Sequence, residues 1–376
     1  MKILLTGGGT GGHFYPLIAI AEKLVEVADK QKIVDLKIYY MSDKPYDRRM
    51  LFENKIIFVQ IPSGKMRTYF SIQNFFDMFK TATGAFFGIL SMFFIYPDVV
   101  ISKGGYAAFP AVFAAKLLRI PVIVHESDSY PGRLNIWTAK FAKYVAISWP
   151  EAAEYLPQEK TALTGQPIRK EILHGDPNGA HEFFKLNPNI PTILVLGGSQ
   201  GAQTLNDIVV DTLPVLLSKY QIIHQTGIKN LEEVVTRAKM LMDKNPNIER
   251  YFPIPYLNNL STRMAAGCAN LIISRAGSAI FEIASWGIPS IVIPITNSNG
   301  NHQRKNAYNY ARGGACEVIE ESNLTSHLFV SEIDKLLSSP QKLSQMKENA
   351  LLFASPLAAE KIAKSAIDIA LTHYQQ

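Results

Sequence analysis

The chain is poor in cysteine. Cys268 and Cys316 are its only two in 376 residues, too few for a disulfide framework and without metal-ligand spacing. Such usage fits a reducing compartment, and a cytoplasmic setting is expected. No Asp-x-Asp occurs, which removes the metal-chelating device of one class of sugar transferase, and no metal or cofactor is expected. No G-x-x-x-x-G-K-[ST] occurs either, which argues against ATP hydrolysis. No nucleic-acid-binding module is recognisable, and no low-complexity tract suggests disorder. The apolar run Ala82 to Tyr96 has 15 residues, short of the ~20 that a spanning helix needs, and it is expected to be a buried helix. Lys2 to Leu5 reads as a strand leading into a glycine loop rather than as a signal peptide.

What is present suits packed α/β domains. Apolar residues make up 47% of the chain and charged residues 19%, at a length that suggests roughly two to three domains. The net charge of +6 is unevenly placed. Residues 1–165 carry 19 Lys and Arg against 14 Asp and Glu, whereas the remainder carries 19 against 18. A basic first half suits an anionic partner.

Short β-rich runs alternate with helix-length amphipathic segments. Strands are predicted at Lys2–Leu5, Lys37–Met41, Ile56–Gln60, Val99–Ser102, Val122–His125 and Tyr144–Ile147, then at Thr192–Leu196, Gln221–Gln225, Leu271–Ser274 and Ser290–Pro294. This alternation argues for doubly wound parallel sheets. The two series open alike, with a strand, a glycine loop and a helix start at Lys2–His13 and again at Thr192–Ala202. Two Rossmann-like domains are therefore expected, at 1–165 and 192–355. Between them, the Pro-, Asn- and Gly-rich stretch within 166–191 reads as a linker. A last helix, about 356–372, has a composition compatible with packing on either domain.

The chemistry-bearing residues cluster after the strands. Gly7-Gly-Gly-Thr-Gly-Gly12 lets backbone N–H groups approach an oxygen-rich ligand, and the helix start behind it favours negative charge. Gly7, Gly9 and Gly12 also satisfy G-x-G-x-x-G, but the acidic residue that a dinucleotide site wants ~20 residues on is misplaced. Glu22 and Glu26 fall within the helix, and Asp43 lies well beyond. His13, where that helix begins, is a candidate base or a ligand-orienting side chain. Gly104, Gly105 and Tyr106 follow another strand, and His125-Glu126 ends a third. In the second half, Ser274-Arg-Ala-Gly-Ser-Ala-Ile-Phe-Glu282 is strand, small-residue turn and helix, suited to a diphosphate. Its Glu282 is placed to accept both hydroxyls of a ribose. Asn301-His-Gln-Arg-Lys-Asn306 opens a further helix with sugar-binding residue types. Ile72, Phe75, Phe76 and Phe79 fall on one helical face, flanked by Lys65, Arg67 and Lys80; this stripe is either core or an interfacial patch.

Gly8-Gly-Thr-Gly-Gly-His13, Gly104-Gly-Tyr106, His125-Glu126, Gly197-Gly-Ser-Gln-Gly-Ala202 and His302-Gln303 together resemble the MurG family, in that family's order. The resemblance implies the GT-B fold, two Rossmann-like domains facing a cleft. It implies a metal-independent hexosyltransferase that moves GlcNAc from UDP-GlcNAc, with inversion, to the C4 hydroxyl of undecaprenyl-diphospho-MurNAc-pentapeptide (lipid I to lipid II). It also implies work at the cytoplasmic face of an anionic membrane, with Phe75–Phe79 fitting the family's membrane patch. Carried over by position, His13 and Glu126 resemble the catalytic groups, and Thr10, Gly11 and Gly12 the loop near donor sugar and acceptor diphosphate. Arg169, Ser199, Leu257, Gly277, Ser278, Ala279, Ile280, Phe281, Glu282 and Gln303 resemble donor contacts. Where the family reads His-Glu-Gln-Asn, this chain has His125-Glu-Ser-Asp128. Asp128 accepts hydrogen bonds from sugar hydroxyls but has no amide to donate, a departure that bears on sugar specificity. A UDP-GlcNAc 2-epimerase-like isomerase of similar two-domain fold is the alternative.

Overall fold

The computed structural model describes residues 1–65, 73–198, 201–296 and 298–374. Strands run β1 Lys2–Thr6, β2 Lys37–Ser42, β3 Ile57–Gln60, β4 Val99–Ser102, β5 Val122–Glu126, β6 Tyr144–Ile147, β7 Thr161–Leu163, β8 Thr192–Leu196, β9 Gln221–Gln225, β10 Tyr251–Ile254, β11 Leu271–Ser274, β12 Ser290–Val292 and β13 Cys316–Val318. The α-helices are α1 Gly11–Lys30, α2 Arg48–Glu53, α3 Gln73–Ile95, α4 Phe109–Leu117, α5 Arg133–Ala139, α6 Ala180–Phe183, α7 Gln203–Leu216, α8 Leu231–Leu241, α9 Asn259–Cys268, α10 Ala279–Trp286, α11 His302–Arg312, α12 Ser326–Leu337, α13 Pro340–Phe353 and α14 Ala358–Tyr374.

The chain forms two compact units, 1–170 with 355–376 and 171–354. The first holds a seven-stranded sheet in the order β3-β2-β1-β4-β5-β6-β7, the second a six-stranded sheet in the order β10-β9-β8-β11-β12-β13. Every strand pair is parallel. In each sheet the order reverses between two central strands, β1 and β4 in one and β8 and β11 in the other. Ligands of open α/β sheets collect at such reversals, outside the carboxyl ends of the strands. The glycine loops found in the sequence leave these four strands.

The first sheet is covered on both faces. On one, Phe14, Leu17, Ile18 and Leu24 of α1 pack with Ile362, Ala363, Ala366 and Ile367 of α14, so the last helix closes the first unit's core. On the other lie Met92 of α3, Ala111, Ala114 and Ala115 of α4 and Ala139 of α5. Residues 171–191 are more than the linker suggested by their Pro and Gly content. Asp176 pairs with Arg263 at 2.6 Å, and Phe184 and Leu186 are buried with Leu194 and Ile223 in the second unit's core.

α3 departs from expectation. The Phe75–Phe79 stripe and the apolar run from Ala82 belong to one continuous helix, and its large side chains face outward rather than into a core. Phe75, Phe76, Phe79, Phe86, Phe87, Phe93 and Phe94 are exposed, Phe76 to 68% and Phe94 to 79%. The cause is the glycines. A Cβ on Gly84 would lie 1.8 Å from the Pro62 carbonyl oxygen, and one on Gly88 would lie 3.1 Å from that of Pro110. Gly84, Gly88 and the buried Met92 share one helical face, so the small side seats against the body and the aromatic side turns outward. Phe75–Ile95 is long and apolar enough to cross a membrane. Ile72 and Arg67 lie outside the described residues.

Candidate active site

The first site is built where β1, β4 and β5 end. The loop after β1 is pinned from beneath, the Tyr40 hydroxyl donating to the Gly7 carbonyl at 2.7 Å. Thr10 occupies the N-cap of α1, yet its hydroxyl makes no cap bond to the helix. It lies instead 3.0 Å from Nδ1 of His13. The helix start at Gly11 and Gly12 thus has no capping bond from the Thr10 hydroxyl, and amides at such a start favour an anion.

The second glycine loop wedges against the first. Gly104 and Gly105 have φ of +77° and +80°, a region that L side chains avoid. A Cβ at Gly105 would sit 2.7 Å from the Gly8 carbonyl oxygen and 3.6 Å from Cδ2 of His13. At Gly104 it would meet Oδ1 of Asn135 at 2.5 Å. Tyr106 donates to Asp43 at 3.0 Å. Thr10, Gly11, Gly12, His13, Gly104, Gly105 and Tyr106 are therefore brought together by two loops in direct contact.

Glu126 is buried, and its oxygens hold the chain that follows. Oε1 accepts from the Ser127 and Asp128 amides at 2.7 and 2.9 Å. Oε2 accepts from the Gly132 amide at 2.9 Å and from Nδ2 of Asn135 at 2.8 Å. Burial, then the Asp128 charge, raises its pKa above the usual carboxylate value. Asp128 is half-buried at this edge. His125 is fully enclosed, its pKa held well below normal by burial and then by the Lys103 charge. Arg169, also buried, stacks with its Cζ 4.0 Å from the Tyr15 ring centroid, beside α1.

In the second unit, the loop after β8 carries Gly198 and Gly201 at φ of +80° and +78° and leads into α7; Ser199 and Gln200 lie outside the described residues. The turn from β11 into α10 is held from below. Arg275 donates to the Ile293 carbonyl at 3.2 Å and pairs with Glu321 at 2.6 Å, and Asn306 donates to the Ala276 carbonyl at 3.1 Å. A Cβ at Gly277 would meet nothing within 4 Å, so this turn has room above it. Ser278 occupies the N-cap position of α10 without a side-chain bond to the helix, and Glu282 lies half-buried in its first turn. Ile280 and Phe281 place their side chains in the interior, and their amides close on Gly277 and Ser278 at 3.2 Å each. The Leu257 side chain is likewise interior. Gln303 accepts from the Ile295 amide at 3.2 Å and so braces the loop after β12.

Residue types alone missed the supports: Lys103, Asn135, Asp43 and the Arg275–Glu321 pair. Lys103 was visible as a cation inside a glycine loop; the others act through partners distant in sequence.

Residues 3–147 match the glycosyltransferase family 28 N-terminal domain and residues 192–365 its C-terminal domain. A UDP-N-acetylglucosamine–N-acetylmuramyl-(pentapeptide) pyrophosphoryl-undecaprenol N-acetylglucosamine transferase of Thermodesulfovibrio yellowstonii is 35% identical over 379 residues, covering 97% of this chain and 98% of that protein. Its counterpart from Treponema denticola is 32% identical over 381 residues, covering 96% of each. Among solved structures, Acinetobacter baumannii MurG superposes with a TM-score of 0.72 at 24% identity, covering 98% of this chain and 99% of that one. A UDP-N-acetylglucosamine 2-epimerase described from Listeria monocytogenes shares the fold at a TM-score of 0.69 and 15% identity, over 100% of this chain and 96% of that one. With two parallel-sheet units of the GT-B kind and near full-length identity above 30% to these transferases, the chain belongs to the MurG family.

Proposed function

We infer that this protein transfers GlcNAc from UDP-GlcNAc to the C4 hydroxyl of undecaprenyl-diphospho-MurNAc-pentapeptide, converting lipid I to lipid II. Supporting the reading is the placement of glycine loops at the sheet reversal of both units, one adjoining a histidine braced by a neighbouring hydroxyl. His13 is the proposed base. With Nδ1–H donating to Thr10, its Nε2 lone pair takes the acceptor hydroxyl proton. The acceptor oxygen bonds to C1 of GlcNAc as the C1–O bond to UDP breaks, inverting that carbon, and UDP departs with the electron pair. The Ser278 turn and the start of α10 are proposed to hold the diphosphate, with Glu282 on the ribose and Arg169 countering the developing charge. Glu126, engaged by four donors, contributes by shaping the 127–132 loop, which presents Asp128 to sugar hydroxyls.

The protein is proposed to work as a peripheral enzyme on the cytoplasmic face of an anionic membrane. The aromatic face of α3, with exposed Lys65 and Lys80 near its start, has the character of an interfacial helix. Its opposite face is committed to the protein body, which suits a helix lying on a bilayer rather than crossing it.

The test is transfer of radiolabelled sugar from UDP-GlcNAc into a lipid-extractable product, alongside UDP release with and without lipid I. Label in the lipid and acceptor-dependent UDP release are expected. Epimerised sugar from donor alone would instead establish the isomerase.

A further inference from the structure

Lys103 follows β4 and is 1% exposed, directly under the first loop: a Cβ on Gly7 would touch its own Cβ at 3.0 Å. Its ammonium donates to Nδ1 of His125 at 2.7 Å, to Oγ of Ser127 and to Oε1 of Gln166 at 3.4 Å. These bonds fix the His125 tautomer. Nδ1 accepts from the ammonium, so Nε2 carries the hydrogen and donates to the Gly165 carbonyl at 2.9 Å. All three acceptors are neutral, so they solvate the ammonium without balancing its charge. Balance comes from Glu126 and Asp128, the two carboxylates that act on it. Glu126 is buried, whereas Asp128 is the half-exposed member of the trio.

We propose that Lys103 is a positioning residue that forms a charge-compensated unit with Asp128, anchoring the strand end His125–Ser127 and allowing a carboxylate to serve in the sugar-binding loop. A neutral side chain at 103 with an amide at 128 carries the same local net charge, so the two positions are exchangeable only together. Asp128 then recognises hydroxyls as an acceptor, oriented by a buried cation one strand away. This inference rests on the transferase reading for its substrate, and for the pairing on the bond from the ammonium to Ser127, the chain neighbour of Asp128.

The full-length enzyme is compared with K103M, D128N and K103M/D128N in GlcNAc transfer from UDP-GlcNAc to lipid I. K103M is expected to lower kcat/KM at least tenfold, mainly through KM. The double variant is expected to recover at least fivefold of that loss. Multiplicative single effects, or a double variant no better than K103M, overturn the proposal. Thermal unfolding of the four proteins gives a readout independent of the reaction: the loss of melting temperature caused by K103M is smaller in the D128N background. Equal losses overturn the pairing even if transfer is robust, whereas absent wild-type transfer with coupled melting overturns only the substrate reading. K103M failing to fold in both backgrounds also counts against the proposal. The wild-type pH profile supplies a further check. The groups acting on the ammonium are His125 and Glu126 of β5 and Asp128 beyond it, while the β1 loop, β6 and residue 166 present Gly7, Ser148 and Gln166. Burial brings the Lys103 pKa down to about 8, so the rate falls as pH rises through that value. D128N moves the midpoint lower, and an unmoved midpoint contradicts the pairing.

Discussion

Oγ1 of Thr10 and Nδ1 of His13 lie 3.0 Å apart across the start of α1. The contact spends the hydroxyl of a strong capping residue type on an imidazole rather than on the helix amides. If His13 is the base, removing it lowers kcat on saturating acceptor by about 10²–10⁴. T10V, which keeps shape and loses the hydroxyl, is expected to cost about tenfold in kcat, with T10S near wild type. Full kcat in H13A would show that the proton leaves by another route.

For α3, outward aromatic side chains separate membrane binding from folding. Replacing Phe75, Phe76 and Phe79 with Ser, or Phe86, Phe87, Phe93 and Phe94, removes exposed apolar surface and leaves the core intact. Transfer of a buried Phe is worth about 1.5–3 kcal/mol, so each set should lower partition onto anionic vesicles at least tenfold. Circular dichroism should stay unchanged. Undiminished sedimentation with vesicles would disprove the interfacial role.

The second unit contains a histidine kept neutral by burial. His224 contacts the Tyr251 hydroxyl at 2.8 Å and Oδ1 of Asn206 at 3.0 Å, and burial brings its pKa from 6.5 to about 3. The unfolded chain therefore binds a proton that the folded unit does not, between pH 6.5 and about 3. The stabilisation is present above pH 6.5 and is lost as pH falls through that window, by up to about 1.4 kcal/mol per unit. Urea unfolding of H224Q should show a shallower acid dependence; an identical slope would assign the acid sensitivity elsewhere.

Ile367 of α14 is fully buried in the first unit's core. I367A should destabilise that unit by about 2–5 kcal/mol. Proteolytic fragments at intermediate urea should then come from the 1–170 segment, with 171–354 protected longest. Earlier cleavage within 171–354 would refute this division of stability.

Much of the architecture was legible because strand-to-turn-to-helix transitions are local. β4, β6, β8, β9 and β11 occupy the predicted spans. β7, β10 and β13 went unread, and each is an edge strand. Such strands need no continuous apolar run, and β10 even contains Pro253, whose missing N–H is tolerated where there is no outer partner. α3 was read as a stripe plus a core helix because composition does not say which face a neighbour will take. Gly84 and Gly88 decide it, through contacts with Pro62 and Pro110 that only the tertiary fold brings near. The loops of the candidate site were visible from their glycines and from Glu126. The buried bonds of Lys103, and the four donors that commit Glu126 to its own loop, were not.

The return of α14 to the first unit has a consequence for biogenesis. The 171–354 segment is contiguous and can close as soon as it leaves the ribosome, whereas the earlier-made 1–170 segment waits for helix residues translated after that whole segment. Until then the α1 surface that meets Ile362 and Ile367 stays uncovered, and the nascent chain carries a sticky apolar flank.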